Sequence, residues 1–149
     1  MSRPVPHCRA DYPHAREITT RWMDNDAYGH VNNVVYYSYF DTVVNDWLIR
    51  QGLLDVGNGA VIGLVVETGC HYFESLTYPE AVTAAMRVAH VGNSSVRYEI
   101  ALFGEGRAKA AAQGHFVHVY VDRATRRPTA LPEAWRRALA TLRAGEAAP

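Results

Sequence analysis

The sequence predicts an α+β domain in which an antiparallel sheet of about five strands wraps around one long helix, with a shorter second helix at the C-terminal end. Three observations carry this. Residues 33–51 are the one long stretch before the C-terminal end in which apolar side chains recur at three- and four-residue steps. Stretches rich in β-branched and aromatic residues stand on either side of it, with hardly a helical period among them. The later stretches are joined by short glycine-containing turns, which connect antiparallel neighbours and leave no room for a crossover helix.

Taken in order, residues 1–14 carry Pro4, Pro6 and Pro13 among polar residues and read as a loose leader to a single domain spanning 1–149. Ala15 to Trp22, with Ile18, Thr19 and Thr20, reads as a first strand that breaks at the polar turn Asp24 to Gly29. In the helix that follows, Tyr37, Phe40, Val44, Trp47 and Leu48 fall on one side, while Asp41, Asn45 and Arg50 fall elsewhere. Its aromatic and β-branched residues are poor helix formers, so it must be held by packing on a sheet. Asn32 or Asn33 is placed to cap its start, and Gly52 to close its end.

Strands are then expected over Val61–Phe73, Val82–Val91, Ser94–Phe103 and Ala108–Asp122, paired as antiparallel meanders. Gly92-Asn93 and Gly104-Glu105-Gly106 supply the tight turns. Val96, Tyr98, Ile100 and Leu102 share a core face by the two-residue period, and Arg97 and Glu99 take the other. The last helix enters at Leu131-Pro132-Glu133, with Pro132 suited to its first turn, and carries its apolar stripe through Leu139 and Leu142 to Gly145. Such a sheet with two helices leaves an edge or an outer face uncovered, so the chain is expected to form a homodimer or homotetramer.

Composition narrows the function classes. At 149 residues and 48% hydrophobic content the chain can build a core without metal or disulfide support. Fifteen basic residues balance fifteen acidic ones, which argues against a nucleic-acid or membrane-surface partner and offers no strong basic patch to an acidic carrier protein. The longest aliphatic run, Ala60 to Val66, is far short of the ~20 residues of a membrane span. Cys8 and Cys70 stand far apart outside any CxxC context, and the first residues hold no apolar export segment, so a cytoplasmic setting is expected. His115 and His118, three apart on a strand, project to opposite faces and do not pair on a metal; no metal is expected. Glu67 and His71 share a strand face, as site-lining groups or as a polar patch at a dimer edge, with Thr68 on the other face.

The chemistry concentrates in Asp24-Asn25-Asp26-Ala27-Tyr28-Gly29-His30. Read alone, this is a solvated turn in which Asp and Asn bond their own backbone. Its position adds a second reading, because it feeds a helix N-terminus whose unpaired N–H groups favour negative charge. A carbonyl oxygen aimed there gains hydrogen bonds as it becomes an oxyanion, while an adjacent Asp attacks the carbonyl carbon or holds a water that does. An Asp near its ordinary pKa of about 3.9 is a weak base, which restricts such chemistry to activated acyl groups such as thioesters.

The run from Arg21 to Asp41, RWMDNDAYGHVNNVVYYSYFD, resembles the signature of the hot-dog-fold acyl-CoA thioesterases of the 4-hydroxybenzoyl-CoA thioesterase type, and its His-Val-Asn-Asn form looks most like the long-chain acyl-CoA members. The resemblance covers roughly residues 16 to 143, and its Asp-x-Asp-x-x-Gly-His-x-x-Asn-Asn core is more specific to the family than to a substrate. It implies a hot-dog fold that hydrolyses a fatty or aromatic acyl-CoA, with coenzyme A as part of the substrate and no other cofactor. The catalytic carboxylate of the family falls on Asp26, with Asp24 as the lesser candidate, and the thioester-polarising N–H falls near Asn33. Some relatives carry His at the latter position, so the Asn departs from a His-assisted pattern. His30, Asn32, Tyr37, Ser94 and Ser95 are the implied substrate contacts; Tyr36, Tyr39 and Phe40 border an acyl channel or the core. Arg87, Arg126 and Arg127 are candidates for CoA phosphates or simply solvated charges. Acyl carrier protein is an alternative carrier of the acyl group. Two further readings stand beside hydrolysis: hydration or dehydration of an acyl thioester, whose family spacing Asp-Asn-Pro-x-His is not found here, and a domain that binds acyl-CoA or acyl carrier protein without turnover.

Overall fold

The computed structural model describes residues 3–144. Its elements run β1 (His14–Thr19), α1 (Val35–Arg50), β2 (Val61–Tyr72), β3 (Ala81–Val91), β4 (Ser95–Phe103), β5 (Ala112–Asp122) and α2 (Glu133–Ala140). All pairings are antiparallel, in the order β1-β3-β4-β5-β2. Only β3, β4 and β5 form a meander. β2 does not pair with β3, as the run of turns suggested, but crosses to the far edge beside β5. The β2–β3 connection is no tight turn: its Leu76 is drawn away to accept a hydrogen bond from the Val31 N–H at 2.8 Å.

One face of the sheet holds α1. Tyr36, Tyr39, Phe40, Val43, Val44, Trp47 and Leu48 are buried along the helix, against Val96, Tyr98, Ile100 and Leu102 of β4. Tyr37, expected on this face, is only half-buried. Burial of this many large apolar side chains, at about 1.5–3 kcal/mol each, is what holds a helix of such low intrinsic propensity. Gly52 closes it as expected, at φ +72° with its N–H on the Ile49 carbonyl. Its start differs from expectation. Val34 occupies the cap position without a side-chain cap bond, and the Asn32 side chain accepts the Val34 N–H at 3.3 Å from one turn earlier. Pro132 likewise sits at the cap of α2, just outside the first turn. The expected stop at Gly145 lies outside the described residues.

The other face is covered by residues that the prolines suggested were loose. The His7 N–H donates to the Gln113 side chain, Gln113 donates back to the Val5 carbonyl, and Ala110 donates to the His7 carbonyl. Tyr12 is buried with Ala85, Ala101, Phe103 and Ala110, and the Arg87 guanidinium lies 4.8 Å above its ring. This engagement of Ala110 explains why β5 starts at Ala112 and not at Ala108. β1 is shorter than expected, because the Thr20 hydroxyl turns to the Glu80 carbonyl and Trp22–Asp24 close a single 3₁₀ turn.

The leader leaves β2 open. Leu64, Val65 and Val66 are 39%, 47% and 60% exposed along an unpaired strand edge. A bulge between Val65 and Glu67 shifts the register, after which Glu67 and His71 stand opposite Val117 and Gln113 on one face and Thr68 opposite Phe116 on the other.

Candidate active site

The turn that begins at Asp24 is closed on itself twice and tied to the β2–β3 connection. Asp24 and Asn32 close its base, the Asn32 N–H donating to the Asp24 carbonyl at 2.8 Å. Asp26 and His30 close its tip, the Asp26 N–H donating to the His30 carbonyl at 2.8 Å. Gly29 takes φ +83° between them, where a side chain would be strained. On the outer side, Thr77 donates to the Gly29 carbonyl and the Tyr78 N–H donates to the Asn25 side chain. The bland reading of the turn is therefore correct as far as it goes: Asp26 Oδ1 accepts the Tyr28 N–H at 2.8 Å and, at the limit of a hydrogen bond, the His30 N–H at 3.5 Å.

That leaves Asp26 Oδ2 without a partner among the described residues, and Asp26 lines a cleft of about 330 Å³. Asp26, His30 and Val31 form the wall from the turn, Asn33 and Tyr36 the wall from the helix start, and Tyr72, Phe73, Glu74 and Ser75 the wall from the end of β2. The structure thus brings Asp26, Asn33 and His30 to one depression. The Asn33 N–H makes no hydrogen bond among the described residues, whereas its carbonyl is taken by the Tyr72 hydroxyl at 2.9 Å. Two residues of the cleft wall therefore carry a group without a partner among the described residues, a carboxylate oxygen and a backbone donor, the kinds of group acyl chemistry needs.

Aromatic rings give it an apolar lining. Tyr36 meets Tyr72 edge-on at 4.9 Å and its hydroxyl accepts the Leu76 N–H. Burial pushes both phenols up, so they stay neutral hydrogen-bonding groups at neutral pH. Tyr72, Phe73, Glu74 and Ser75 were not singled out from the sequence; an aromatic pair at the end of a strand, followed by Glu-Ser where the alternation lapses, was the only signal. Glu74 is ion-paired to Arg107. A larger depression, about 410 Å³ beside the β4–β5 turn, is lined by Glu17, Thr83, Phe103, Glu105 and Arg107 and takes in none of the residues of the Asp24–Asn33 motif.

The other expected contacts are not on the cleft wall itself, although Tyr37 adjoins Tyr72. Asn32 spends its amide N–H and side-chain oxygen within the turn, and Tyr37 packs edge-on against Phe40. Ser94 and Ser95 close the β3–β4 turn, where Gly92 donates to the Ser95 carbonyl. Ser95 stands opposite Val119 and Tyr72 opposite Ala112, so seven residues of β5, about 23 Å, separate this turn from the cleft within one chain. Arg87 is paired with Glu99 on the leader side of the sheet, and Arg126 and Arg127 are exposed beyond the end of β5. His115 reaches Glu67 at 2.8 Å on that same outer side, and His118 is buried on the helix side, so the two do project apart.

Comparison with known proteins decides the family. The model of the thioesterase-like superfamily matches residues 20–139. The chain belongs to that superfamily. Its fold is the hot-dog fold, a sheet wrapped on one long helix. The PA5185 protein of Pseudomonas aeruginosa strain PAO1 is 52% identical, with a TM-score of 0.92 over 95% of this chain and 99% of that one. A DHNA-CoA thioesterase from Staphylococcus aureus is 22% identical, with a TM-score of 0.76 over 85% of this chain and 87% of that one. Slr0204, a 1,4-dihydroxy-2-naphthoyl-CoA thioesterase from Synechocystis, is 16% identical, with a TM-score of 0.76 over 85% and 94%. At those two identities the likeness is one of fold. No curated protein matches the chain.

Proposed function

We propose that this chain hydrolyses an acyl-CoA thioester to the free acid and CoA. The observation that carries the reading is the pairing, on one cleft, of the unpartnered Oδ2 of Asp26 with the unpartnered N–H of Asn33. The thioester carbonyl oxygen accepts from the Asn33 N–H, which strengthens as negative charge develops on it. Asp26 either attacks the carbonyl carbon, giving a mixed anhydride that water opens, or takes a proton from the water that attacks. In both cases the C–S bond breaks and the thiolate of CoA leaves, later taking a proton. Membership of the superfamily supports the reaction class.

A second copy belongs to the same reading. Antiparallel pairing of two β2 edges would bury Leu64, Val65 and Val66 and bring the partner's β3–β4 turn toward this cleft, cancelling the separation that a single chain leaves. That turn, with Ser94 and Ser95, is then the expected contact for the pantetheine or nucleotide. Free cysteines at Cys8 and Cys70 suit a reducing cytoplasm.

The test is a panel of fatty and aromatic acyl-CoAs, and the same acyl groups on acyl carrier protein, assayed for thiol release. Release of thiol from at least one thioester is expected. Loss of the double-bond absorbance of a crotonyl thioester without thiol release would establish hydration instead, and acyl-CoA binding with no product a carrier or sensor.

A further inference from the structure

We propose that Asp24 is a positioning residue for this chemistry: buried against α1, it sets the placement of the Asp26 carboxylate relative to the Asn33 N–H. The inference rests on the hydrolase reading above and adds to it a residue that stands outside the cleft.

Two acidic residues, two positions apart, meet opposite environments. Asp24 is 1% exposed and its carboxylate is saturated. Oδ2 accepts the Arg21 N–H at 2.9 Å and the Tyr39 hydroxyl at 2.7 Å, and Oδ1 accepts two guanidinium N–H groups of Arg21 at 3.1 and 3.0 Å. Such a carboxylate has no lone pair left for a substrate, and it is absent from the cleft wall. Burial alone would raise its pKa, but the hydrogen bonds from Tyr39 and from the backbone and side chain of Arg21 together bring it below the ordinary carboxylate range. Tyr39, pushed up by burial and by Asp24, remains a donor. The contact is thus a charge-assisted bond between the turn and the helix.

Its mechanical consequence follows from the backbone. The carbonyl of Asp24 receives the Asn32 N–H, and the Asn32 carbonyl receives the Val35 N–H at 2.8 Å. The Asn32–Asn33 peptide, whose N–H is the free donor, is therefore fixed between Asp24 on one side and the first residue of α1 on the other. In the other direction Asp26 follows Asp24 by two residues and is closed onto His30. Arg21 and Tyr39 thus clamp the one residue from which both reacting groups are suspended. An error of about 1 Å in such a pair costs roughly 100-fold in rate.

The experiment compares Asp24→Asn, Tyr39→Phe and the double variant with the unmodified chain, using whichever acyl-CoA the panel identifies, well below each melting temperature. Asparagine presents an NH₂ where Arg21 already donates, so Asp24→Asn is expected to lower kcat roughly 10- to 100-fold with KM changed less than about threefold. Tyr39→Phe is expected to lower kcat roughly three- to tenfold, and the double variant to be no slower than Asp24→Asn, because both act through one clamp. Hydrogen exchange over residues 24–34 is expected to rise at least about tenfold in Asp24→Asn, as the Asn32 N–H loses its protection. A purely structural role would lower the melting temperature and leave kcat of the folded protein alone. Wild-type kcat in folded Asp24→Asn overturns the proposal, as does wild-type kcat in Tyr39→Phe if Asp24→Asn does not fold. Should the unmodified chain cleave no thioester, the hydrolase reading fails while the exchange readout still decides whether Asp24 holds the turn; unchanged exchange there would refute it.

Discussion

The two polar turns of this chain, Asp24–His30 and Gly92–Ser95, look alike in composition and differ in what they leave unsatisfied. The second spends its carbonyls on its neighbours: Gly92 donates to the Ser95 carbonyl, the Ser94 carbonyl accepts from Tyr120, the Asn93 carbonyl accepts from Leu131, and Arg136 of α2 donates to the carbonyls of Gly92 and Asn93. The first is also stitched to its surroundings, through the side chains of Asp24 and Asn25 and the Gly29 carbonyl, and yet leaves one carboxylate oxygen without a partner and leads to one backbone donor without a partner among the described residues. A reactive pair needs that combination, since preorganised groups act without reorganising only when their supports are locked. On the proposed function, the difference matches complementary parts: chemistry at one turn and, in the proposed dimer, carrier recognition at the other.

The sharpest way to break the comparison is to remove the carboxylate from the first turn. Asp26→Asn keeps an oxygen for the Tyr28 N–H and so preserves the turn, but has neither nucleophile nor base. A loss of about 10³-fold or more in thiol release is expected, with acyl-CoA binding and melting temperature near those of the unmodified chain. Activity within a few-fold of normal would take Asp26 out of the chemistry.

How far these differences could be read beforehand depends on the range of the interactions involved. The helix over 33–51 was legible because one face carrying Phe40, Val44, Trp47 and Leu48 must meet a sheet, and periodicity reports burial directly, although it chose Tyr37 for that face where Tyr36 is the buried ring. Gly52 was legible because a positive φ is a local demand. Asp26, His30 and Asn33 fell to one cleft because they are close in sequence. What escaped was set by contacts over long separations. β2 pairs with β5 across some fifty residues, Tyr72 reaches Asn33 across thirty-nine, and His7 and Tyr12 settle on a sheet face formed much later in the chain. Proline-rich composition gives no hint of such docking, because a segment without regular structure can still exchange hydrogen bonds with a strand.

The strip between the two turns supplies the next test. His118 stands on β5, 3% exposed, and burial lowers its imidazole to about 4. The unfolded chain therefore binds a proton near pH 6.5 that the folded chain refuses until about pH 4. The sign is destabilising as pH falls: the penalty begins below about 6.5, grows through pH 5, and levels off below about 4 at a total on the order of 3 kcal/mol. Urea unfolding at pH 7 and pH 4.5 should register that decline, and His118→Phe should remove most of it. An equal slope in the variant would shift the acid sensitivity to other groups, among which His14 is also lowered by burial.

Between the turns also runs the open edge of β2. If two copies pair along it, Val66→Lys should place a charge in the new seam and convert dimers to monomers in sedimentation analysis. Activity should then fall roughly tenfold or more, because the partner's turn no longer reaches the cleft. A fully active Val66→Lys monomer would mean that one chain suffices and that the two turns are functionally unconnected.

The smallest effect probes the second turn itself. Ser95 contributes its carbonyl to the hairpin, so Ser95→Ala leaves that hydrogen bond in place and removes only a hydroxyl that has no hydrogen-bond partner among the described residues. Stability should hold within about 0.5 kcal/mol. If the hydroxyl meets the carrier portion of the substrate, KM for the acyl-CoA should rise about three- to tenfold, the loss of one neutral hydrogen bond, with kcat little changed. The comparison sharpens if a truncated acyl thioester lacking the nucleotide is added: a hydroxyl that touches pantetheine penalises both substrates, and one that touches the nucleotide penalises only the CoA ester. An unchanged KM for both would reduce Gly92–Ser95 to a hairpin.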